Sequence, residues 1–310
     1  MVILHKVLPL LFLGIILTLF VQVPDHSAQA APSSGGSVVS VGVWLINVGK
    51  VDLSAGTADL DFYVWFNSSG SPQQVSFEFM NGAVSSMSVT DASPSYQEYR
   101  VRGTFQNNLD FKNFPFDSHT ISIEIEDTNV SSSALNFVPD TGETGIDPSI
   151  NIAGWTIQNS DVNVVQHSYP GNETYSRFIF SFEIGRSALS SVVKSVVPIS
   201  IITTIAMLSF FVSPANYAQR IGLGVTALLA AVAAHLALVS EIPPVGYLTL
   251  ADKIMITAYG LFLYGLTISV LVMRKVDEKK MDEADRLNSR SRLALPGVVL
   301  LLIVPLLLLP

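Results

Sequence analysis

Four apolar segments in the second half of the chain constrain its fold more than any other feature. Each approaches or reaches the roughly 20 residues that a helix needs to cross the hydrocarbon core of a bilayer. Backbone polar groups cannot be satisfied by lipid, so a spanning segment of this composition forms a helix. The segments predict transmembrane helices over about 190–212, 217–240, 251–273 and 293–310.

Residues 38–186 carry a different pattern, in which apolar and polar side chains alternate with the period of a half-buried strand. The alternation is clearest in 121–126, Leu60–Phe66 and Phe178–Ile184. Stretches rich in Gly, Pro, Asn and Ser separate these strands. The predicted fold class is therefore β + α: an antiparallel β-sandwich of two sheets over 38–186, followed by a helical membrane domain over 187–310.

Basic residues and an N-terminal apolar run predict the orientation of the chain. The run over 7–23 and Ala28–Ala30 are typical of a cleaved signal peptide over 1–30, with an uncleaved anchor as the alternative. The linker 274–292 carries seven Lys and Arg residues, whereas Glu241–Thr249 carries none. By the positive-inside rule the linker is cytoplasmic, and the β domain and the C-terminus are extracellular. We expect a multi-pass protein of the cell membrane.

The composition excludes several kinds of active site. The chain has no cysteine, which rules out thiolate zinc sites and cysteine nucleophiles. Its five histidines are scattered, and there is no Gly-rich phosphate loop, nucleophile elbow or basic stripe for nucleic acid. We expect no enzymatic activity, no catalytic residues, no metal or other cofactor, and no nucleic-acid partner.

The second apolar segment has an unusual composition for a lipid-facing helix. Ile221–Ser240 contains no Asp, Glu, Lys or Arg, and eight of its twenty residues are Gly or Ala. Small residues let helix backbones approach closely or leave space beside the helix. From this segment alone, packing within a bundle and the wall of a pore are both open. Steps of four and three residues define one helical face: Gly222, Thr226, Leu229, Ala233, Leu236 and Ser240.

A turn between two predicted strands carries a family motif. Residues 109–119 read Leu-Asp-Phe-Lys-Asn-Phe-Pro-Phe-Asp-Ser-His, and this turn resembles the Phe-Pro-Phe-Asp loop of the pentameric ligand-gated ion channels, also called Cys-loop receptors. The resemblance covers nearly all of residues 38–310. Further matches follow in the family's order: Arg186 before the membrane, Pro198 in the first helix, Gln219–Thr226 in the second, and Ile242–Pro243 and Tyr247–Thr249 in the loop after it.

The resemblance implies a channel of minimal, prokaryotic type. Asn107 and Ile121 stand where eukaryotic members close a disulfide, and the linker before the fourth helix is short. A homopentamer is implied, so the partners of each chain are four further copies of itself, membrane lipid, an unknown small-molecule or proton agonist, and permeant inorganic ions. Leu229 and Leu236 would then form apolar constrictions that block ions by dewetting.

The resemblance also implies residues that couple the two domains. Asp117 and Arg186 match residues that pair in the family, and Asp52 is a third member by register. The alternative is that all three are solvated surface charges. The predicted gating and coupling residues are Asp52, Phe114, Pro115, Phe116, Asp117, Arg186, Pro198, Pro243 and Tyr247.

The ligand site that the resemblance implies lies between subunits and is lined by aromatic residues. Met80 and Thr128 stand at two usual aromatic positions, and Trp65 could equally be a packed residue of the sandwich. Arg220 and the residues after it look closer to those of anion-selective relatives. The Arg220 side chain could also point into protein, so ion selectivity stays open. The predicted ligand-binding residues are Trp65, Met80, Thr128, Tyr169 and Tyr175.

The predicted function is a pentameric ligand-gated ion channel, in which an agonist bound to the extracellular domain opens a central pore for small inorganic ions. The alternative is a membrane-tethered receptor that binds a ligand without conducting. A secondary transporter is disfavoured, because the sequence shows neither repeated halves nor an intramembrane acidic relay.

Overall fold

The structure is a computed structural model that describes residues 36–68 and 74–307. These residues form two compact units. The strand unit holds the described residues up to 110 together with 116–187, and the helical unit holds 188–307 together with Phe111–Pro115. The predicted signal peptide, 1–30, lies outside the described residues.

The strand unit is built from strands of very different length. In chain order these are β1 (Ser37–Asp52), β2 (Thr57–Ser68), β3 (Phe77–Phe79), β4 (Gly82–Ser93), β5 (Tyr96–Gln106), β6 (Ser118–Asp127), β7 (Leu135–Pro139), β8 (Gly145–Ile146), β9 (Trp155–Ser168) and β10 (Thr174–Arg186).

The strands form two sheets. The six-stranded sheet has the order β4-β5-β2-β1-β7 with β8 also paired to β1, and the four-stranded sheet has the order β3-β6-β10-β9. Two pairs are parallel, β1 with β7 and β1 with β8, and they lie at one edge of an otherwise antiparallel sandwich. The two-sheet sandwich that the sequence predicts is confirmed.

The core of the strand unit lies between the two sheets. Along β2 the inward-facing residues of 60–66 are at most 3% exposed, and along β10 those of 178–184 are at most 1% exposed. The predicted period-2 alternation holds in both strands because successive side chains point to opposite faces. The core members from these strands are Leu60, Phe62, Val64, Phe66, Phe178, Phe180, Phe182 and Ile184.

The helical unit contains four helices that are long and apolar enough to cross a membrane. The four predicted membrane helices are thereby confirmed in number and type. A short 3₁₀ turn, Pro214–Asn216, precedes the second helix. The helices are α1 (Ala188–Phe211), α2 (Tyr217–Val239), α3 (Leu250–Asp277) and α4 (Met281–Leu307).

Helix α1 is irregular around Pro198. A π-helical turn, Val192–Val196, immediately precedes the α-helical part Val197–Met207 that contains the proline. Proline lacks a backbone N–H and its ring crowds the turn before it. A wider turn at this point lets the helix continue past Pro198.

Helix α4 begins at Met281, well before the predicted start near residue 293. Much of the predicted linker 274–292 is therefore helical, with a break between Asp277 and Met281. Two features favour the earlier start. The first is that Asp282 and Glu283 lie in the first turn, where the helix dipole stabilises negative charge. The second is that Ala284 is fully buried in an apolar cluster with residues of α1 and α3.

Candidate functional site

The predicted pore-lining residues share the exposed face of α2. All six are exposed in the single chain, with Leu229 at 66% and Leu236 at 70%. Two large leucines held open on the same face as small and polar residues have no packing role within this chain. The structure thus places Gly222, Thr226, Leu229, Ala233, Leu236 and Ser240 together.

The opposite face of α2 is buried and accounts for the other small residues of the helix. A Cβ atom at Gly224 would lie 2.7 Å from Leu266 Cδ2 on α3, whereas a Cβ at Gly222 would meet nothing within 4 Å. Helix α2 therefore packs closely against Leu266 at Gly224, where a side chain would displace the leucine, and has open space at Gly222. The buried residues are Arg220, Gly224, Ala227, Ala231 and Leu238.

His235 lies on the flank of α2 that contacts α3. Its Nδ1 is 3.1 Å from the Tyr259 hydroxyl, and its Nε2 is 3.2 Å from Asp252 Oδ1. This polar contact between helices agrees with the expectation that His235 faces a neighbouring helix. It leaves the exposed face of α2 without a histidine.

A second candidate site surrounds Asp117, immediately before β6. Its carboxylate is fully buried and accepts a bond from Arg186 Nε–H at 2.8 Å on Oδ1. His119 Nε2 lies 2.7 Å from the other oxygen, Oδ2, and is also fully buried. The Arg186 guanidinium carbon lies 4.8 Å from the centroid of the Trp155 ring. Asp117 and Arg186 are thus a buried, charge-assisted pair and not solvated surface charges.

The third predicted member of this cluster lies elsewhere. Asp52 forms an ion pair with Lys50 and accepts bonds from the backbone N–H groups of Ser54 and Ala55 at 3.1 and 3.0 Å. The bond from Lys50 lowers the pKa of this carboxyl below its usual value. Within the described residues Asp52 makes no bond to Asp117 or Arg186. A coupling role for Asp52 stays a prediction without a contact to carry it.

The tip of the family-like turn, Phe111–Pro115, belongs to the helical unit. The Leu250 N–H donates to the Lys112 carbonyl at 2.8 Å, and the Ala251 N–H donates to the Phe114 carbonyl at 2.9 Å. The Phe111 N–H donates to the Tyr247 phenol oxygen at 2.9 Å. The tip therefore binds the first turn of α3 and the loop before it.

The other predicted coupling residues differ in their surroundings. Phe114 is 0% exposed, Pro115 is buried beside it, and Phe116 is half-buried in the strand unit. Pro198 and Pro243 are both half-buried within the helical unit. The turn and Tyr247 are joined by the hydrogen bond from the Phe111 N–H.

Trp65, the first predicted ligand residue, is packed within the strand unit. It is 8% exposed, and its indole N–H donates to Asp140 Oδ2 at 3.0 Å. The ring lies over Gly42, where a Cβ would come within 2.2 Å of it. This environment is that of a packed residue of the sandwich, the alternative that the sequence left open. A ligand role for Trp65 stays a prediction.

The other predicted ligand residues lie around the four-stranded sheet. Tyr169 and Tyr175 are in edge-to-face contact, with ring centroids 5.7 Å apart. The Met80 N–H donates to the Glu124 carbonyl at 2.9 Å, and Thr128 follows directly after β6. The ring of Tyr169 is also 4.5 Å from that of His167.

Glu126 is the central residue of this region: the alternation over 121–126 predicts that it points away from the core, and the structure adds that other side chains cover it there. It is 2% exposed, and it accepts bonds from Arg177 Nε at 2.7 Å and from the Tyr169 hydroxyl at 2.9 Å. Arg177 also donates to Glu124 Oε2 at 2.8 Å. Burial, followed by the bond to Glu126, raises the pKa of Tyr169. A signal was available in the sequence, because Arg177 directly precedes the apolar alternation over Phe178–Ile184.

Two sheets of strands followed by four membrane-length helices define the molecule as a multi-pass membrane protein with a separate β unit. No family model matches the sequence. The chain is similar to a proton-gated ion channel of Gloeobacter violaceus, with 25% identity over 213 residues that cover 68% of this chain and 58% of the relative. It thus spans little more than half the length of that relative.

Receptor subunits from animals are also similar. Gamma-aminobutyric acid receptor subunit rho-2 of Bos taurus is 22% identical over 317 residues, which cover 87% of this chain and 68% of the relative. Subunit pi of Bos taurus is 21% identical over 189 residues, which cover 60% and 43%.

The homologues are ion channels of the Cys-loop superfamily and not enzymes, which confirms the resemblance carried by the Phe114–Asp117 motif. The absence of cysteine from the chain fits the prokaryotic type.

Proposed function

We propose that the chain is the subunit of a ligand-gated ion channel, in which five copies surround a pore lined by α2. The observation that carries this proposal is the exposed face of α2, which holds Leu229 and Leu236 open to solvent opposite a well-packed face. Around a five-fold axis each residue of this face becomes a ring of five. Narrow rings of leucine exclude water and block ions, and wider or polar rings let ions pass.

The arrangement in the membrane follows from the charge pattern. The basic segment 274–292 is cytoplasmic, and the β unit and the C-terminus are extracellular, since positively charged loops stay inside. A signal peptide over 1–30, domains over 38–186 and 187–310, and homopentamers surrounded by lipid complete the proposal. Relatives named as a proton-gated channel and as receptor subunits support it.

Gating is proposed to pass through the Asp117 pair and the turn that precedes it. Arg186 is the last residue of β10, directly before the helical unit, and its partner Asp117 directly follows the Phe114–Phe116 turn. Two of the points at which the chain passes from one unit to the other, 115/116 and 187/188, therefore lie within two residues of this pair. Pro198, Pro243 and Tyr247 are proposed to take part on the helical side.

The agonist is proposed to bind around Tyr169 and Tyr175, with Met80 and Thr128 nearby. Glu124 and Glu126 outnumber the single Arg177 that bonds to them, so this region attracts a cation. Aromatic faces add to the attraction for a cation. Trp65, packed against Gly42, is the least accessible member of the proposed set.

Cysteine accessibility tests the pore proposal directly, because the chain has no native cysteine. Thr226, Leu229 and Ala233 are replaced by cysteine one at a time, and Ala227 and Ala231 serve as matched controls on the buried face. Each variant is reconstituted in a bilayer and treated with a charged thiol reagent. We expect loss of current for the exposed set and no change for the control set; the reverse result contradicts the pore assignment.

A non-conducting receptor is separated from a channel by the unmodified chain. Purified protein in a planar bilayer is exposed to a pH series and to small amines and amino acids. We expect a current under at least one condition. Binding without any current under all of them favours the receptor.

A further inference from the structure

Arg220 is the largest fully buried side chain among the described residues, and the pore proposal gives it no role. It lies in the first turn of α2 and is 0% exposed. A buried cation is costly unless its donors find acceptors. The contacts that hold this guanidinium therefore need an explanation separate from the pore.

The guanidinium bridges two other elements of the helical unit. Its NH1 donates to the Val212 carbonyl, after the end of α1, at 3.3 Å, and its NH2 donates to Asn288 Oδ1 on α4 at 2.8 Å. Among residues 36–68 and 74–307, Nε has no hydrogen-bond partner and no carboxylate pairs with Arg220. The charge is thus solvated by neutral oxygens alone.

Asn288 is itself held at both ends of its amide. Its Nδ2 donates to the Phe210 carbonyl at 3.1 Å, while its Oδ1 accepts from Arg220. Since arginine can only donate and a carbonyl can only accept, this orientation of the amide is the one that satisfies both neighbours. Phe210 stacks on Tyr264 of α3 at 5.9 Å between centroids, and the Tyr264 hydroxyl donates to the Ser291 carbonyl of α4 at 2.9 Å. All four helical elements meet at this level.

The position of Arg220 on the helix excludes it from the exposed face. An α-helix turns by about 100° per residue. Leu229 and Leu236 then lie about 180° and 160° from Arg220, whereas Ala227 and Leu238 lie within about 20° of it. A side chain in this direction cannot also contribute a ring of charge to the face that we assign to the pore.

We propose that Arg220 is a positioning residue that ties the first turn of α2 to α4 through Asn288 and keeps its own charge out of the pore. The statement that the charge is kept out of the pore rests on the proposed function, whereas the tie between α2 and α4 does not. Arginine is required because its planar fork reaches two acceptors on different elements, which a lysine ammonium does not reproduce. Ion selectivity is consequently set by groups other than Arg220.

The tie is tested by thermal unfolding of the purified full chain in detergent. Arg220→Gln and Asn288→Ala each lower the unfolding temperature, and the double variant loses less than the sum of the two single changes, because both break the Arg220–Asn288 contact. Arg290→Gln, an exposed arginine on α4, is the matched control and leaves the temperature unchanged. Additive effects of the two single changes overturn the tie.

Asn288→Asp provides a variant that is expected to fold. The change replaces the amide N–H that donates to the Phe210 carbonyl by an oxygen in either background, but with Arg220 present the new carboxylate gains a charge-assisted partner, so the unfolding temperature falls only slightly. With Arg220→Gln the same half-buried aspartate has no charge partner, and the unfolding temperature falls further. An equal effect of Asn288→Asp in both backgrounds refutes the pairing even if Arg220→Gln alone yields little protein.

The position of the charge is tested by reversal potentials under a salt gradient. Arg220→Gln, or Arg220→Lys if only that variant assembles, keeps the chloride-to-sodium permeability ratio within about twofold of the unmodified chain. A ring of five arginines at the mouth would change this ratio about tenfold or more on removal of the charge. A tenfold change therefore overturns the second half of the proposal. A chain that never conducts contradicts the channel function instead, and unfolding still decides the tie.

Discussion

The strand unit and the helical unit each hold an arginine largely out of solvent, and they accommodate the charge in different ways. Arg186, 18% exposed, is paired with the fully buried carboxylate of Asp117 at 2.8 Å. Arg220 is fully buried, and its bonds go to a backbone carbonyl and to the amide of Asn288. One arginine is neutralised and the other is only solvated by the protein.

This difference teaches where each unit tolerates change. In the strand unit the loss of one partner leaves a charge behind in a buried place, which is a large perturbation. Arg220 has no charged partner among the described residues that could be orphaned, so the geometry of its neutral contacts is the sensitive quantity. The exposed face of α2 is the opposite case again, because its leucines are mostly exposed in the single chain.

The sharpest way to break the comparison is Asp117→Asn. The change removes the charge that Arg186 and the imidazole of His119 share, and breaking a buried pair costs about 3–5 kcal/mol. We expect agonist-evoked current to be lost while assembled protein is still recovered by size-exclusion chromatography. Asp91→Asn, on the exposed strand β4, is the control and keeps its current. Normal gating of Asp117→Asn would show that the pair is not part of the coupling.

The next largest effect is expected on the exposed face of α2. Leu229→Ser replaces an apolar ring by a polar one, which lets water and ions enter a constriction that was dry. We expect a severalfold higher open probability or leak in single-channel records. Leu263→Ser is the matched control, because Leu263 is 68% exposed on α3 and lies outside the predicted pore face. The same gain of current in both variants would argue against a gate at Leu229.

A smaller effect is expected from Glu126, which accepts the bond from the Tyr169 hydroxyl. Glu126→Gln weakens the bonds from Arg177 and Tyr169 and leaves Arg177 with less compensating charge. We expect the concentration of agonist, or of protons, needed for half-maximal current to change severalfold. Glu78→Gln is the control. Glu78 lies opposite Glu126 in the backbone register of β3 and β6, but it is exposed. Equal responses of both variants would remove Glu126 from the ligand region.

The elements of both units could be predicted from the sequence, and the reason is periodicity. The inward residues of β2 and β10 repeat every two positions. The apolar segments that form the membrane helices are much longer than a buried strand. Both signals are local, so neither depends on which segment lies opposite. The two sides of α2 are also local, since a face is fixed by steps of three and four.

The features that sequence reasoning placed wrongly, left open or did not reveal depend on contacts between distant segments. Glu126 is buried by Tyr169 and Arg177, which lie in other elements. Arg220 points inward because Asn288 lies on α4, in a segment whose charges predict a solvated linker. The early start of α4 depends on burial of Ala284 against α1 and α3. Such pairings cannot be read from a single strand or helix.

The smallest expected effect sharpens the comparison by testing a charge pair that is only partly buried. Asp61 accepts bonds from Arg100 at 3.0 and 2.9 Å and from Arg102 at 2.8 Å. Burial raises the pKa of this carboxyl, but the bonds from the two guanidinium groups outweigh burial and lower the pKa overall. A carboxyl whose pKa is lower in the folded state stabilises the fold above its unfolded pKa, about 3.9. The contribution is lost as pH falls towards the folded value.

Asp61→Asn should therefore destabilise the protein near neutral pH by roughly 0.5–1 kcal/mol, a small value because Arg102 remains half-exposed and water screens the pair. The deficit relative to the unmodified chain should shrink as the pH falls below about 4. Chemical unfolding of the full chain in detergent at both pH values measures it, with Asp161→Asn as the control for loss of an exposed carboxylate. A deficit that stays constant with pH would mean that Asp61 acts through shape and not through charge. A deficit as large as that of Asp117→Asn would erase the distinction between buried and partly exposed pairs.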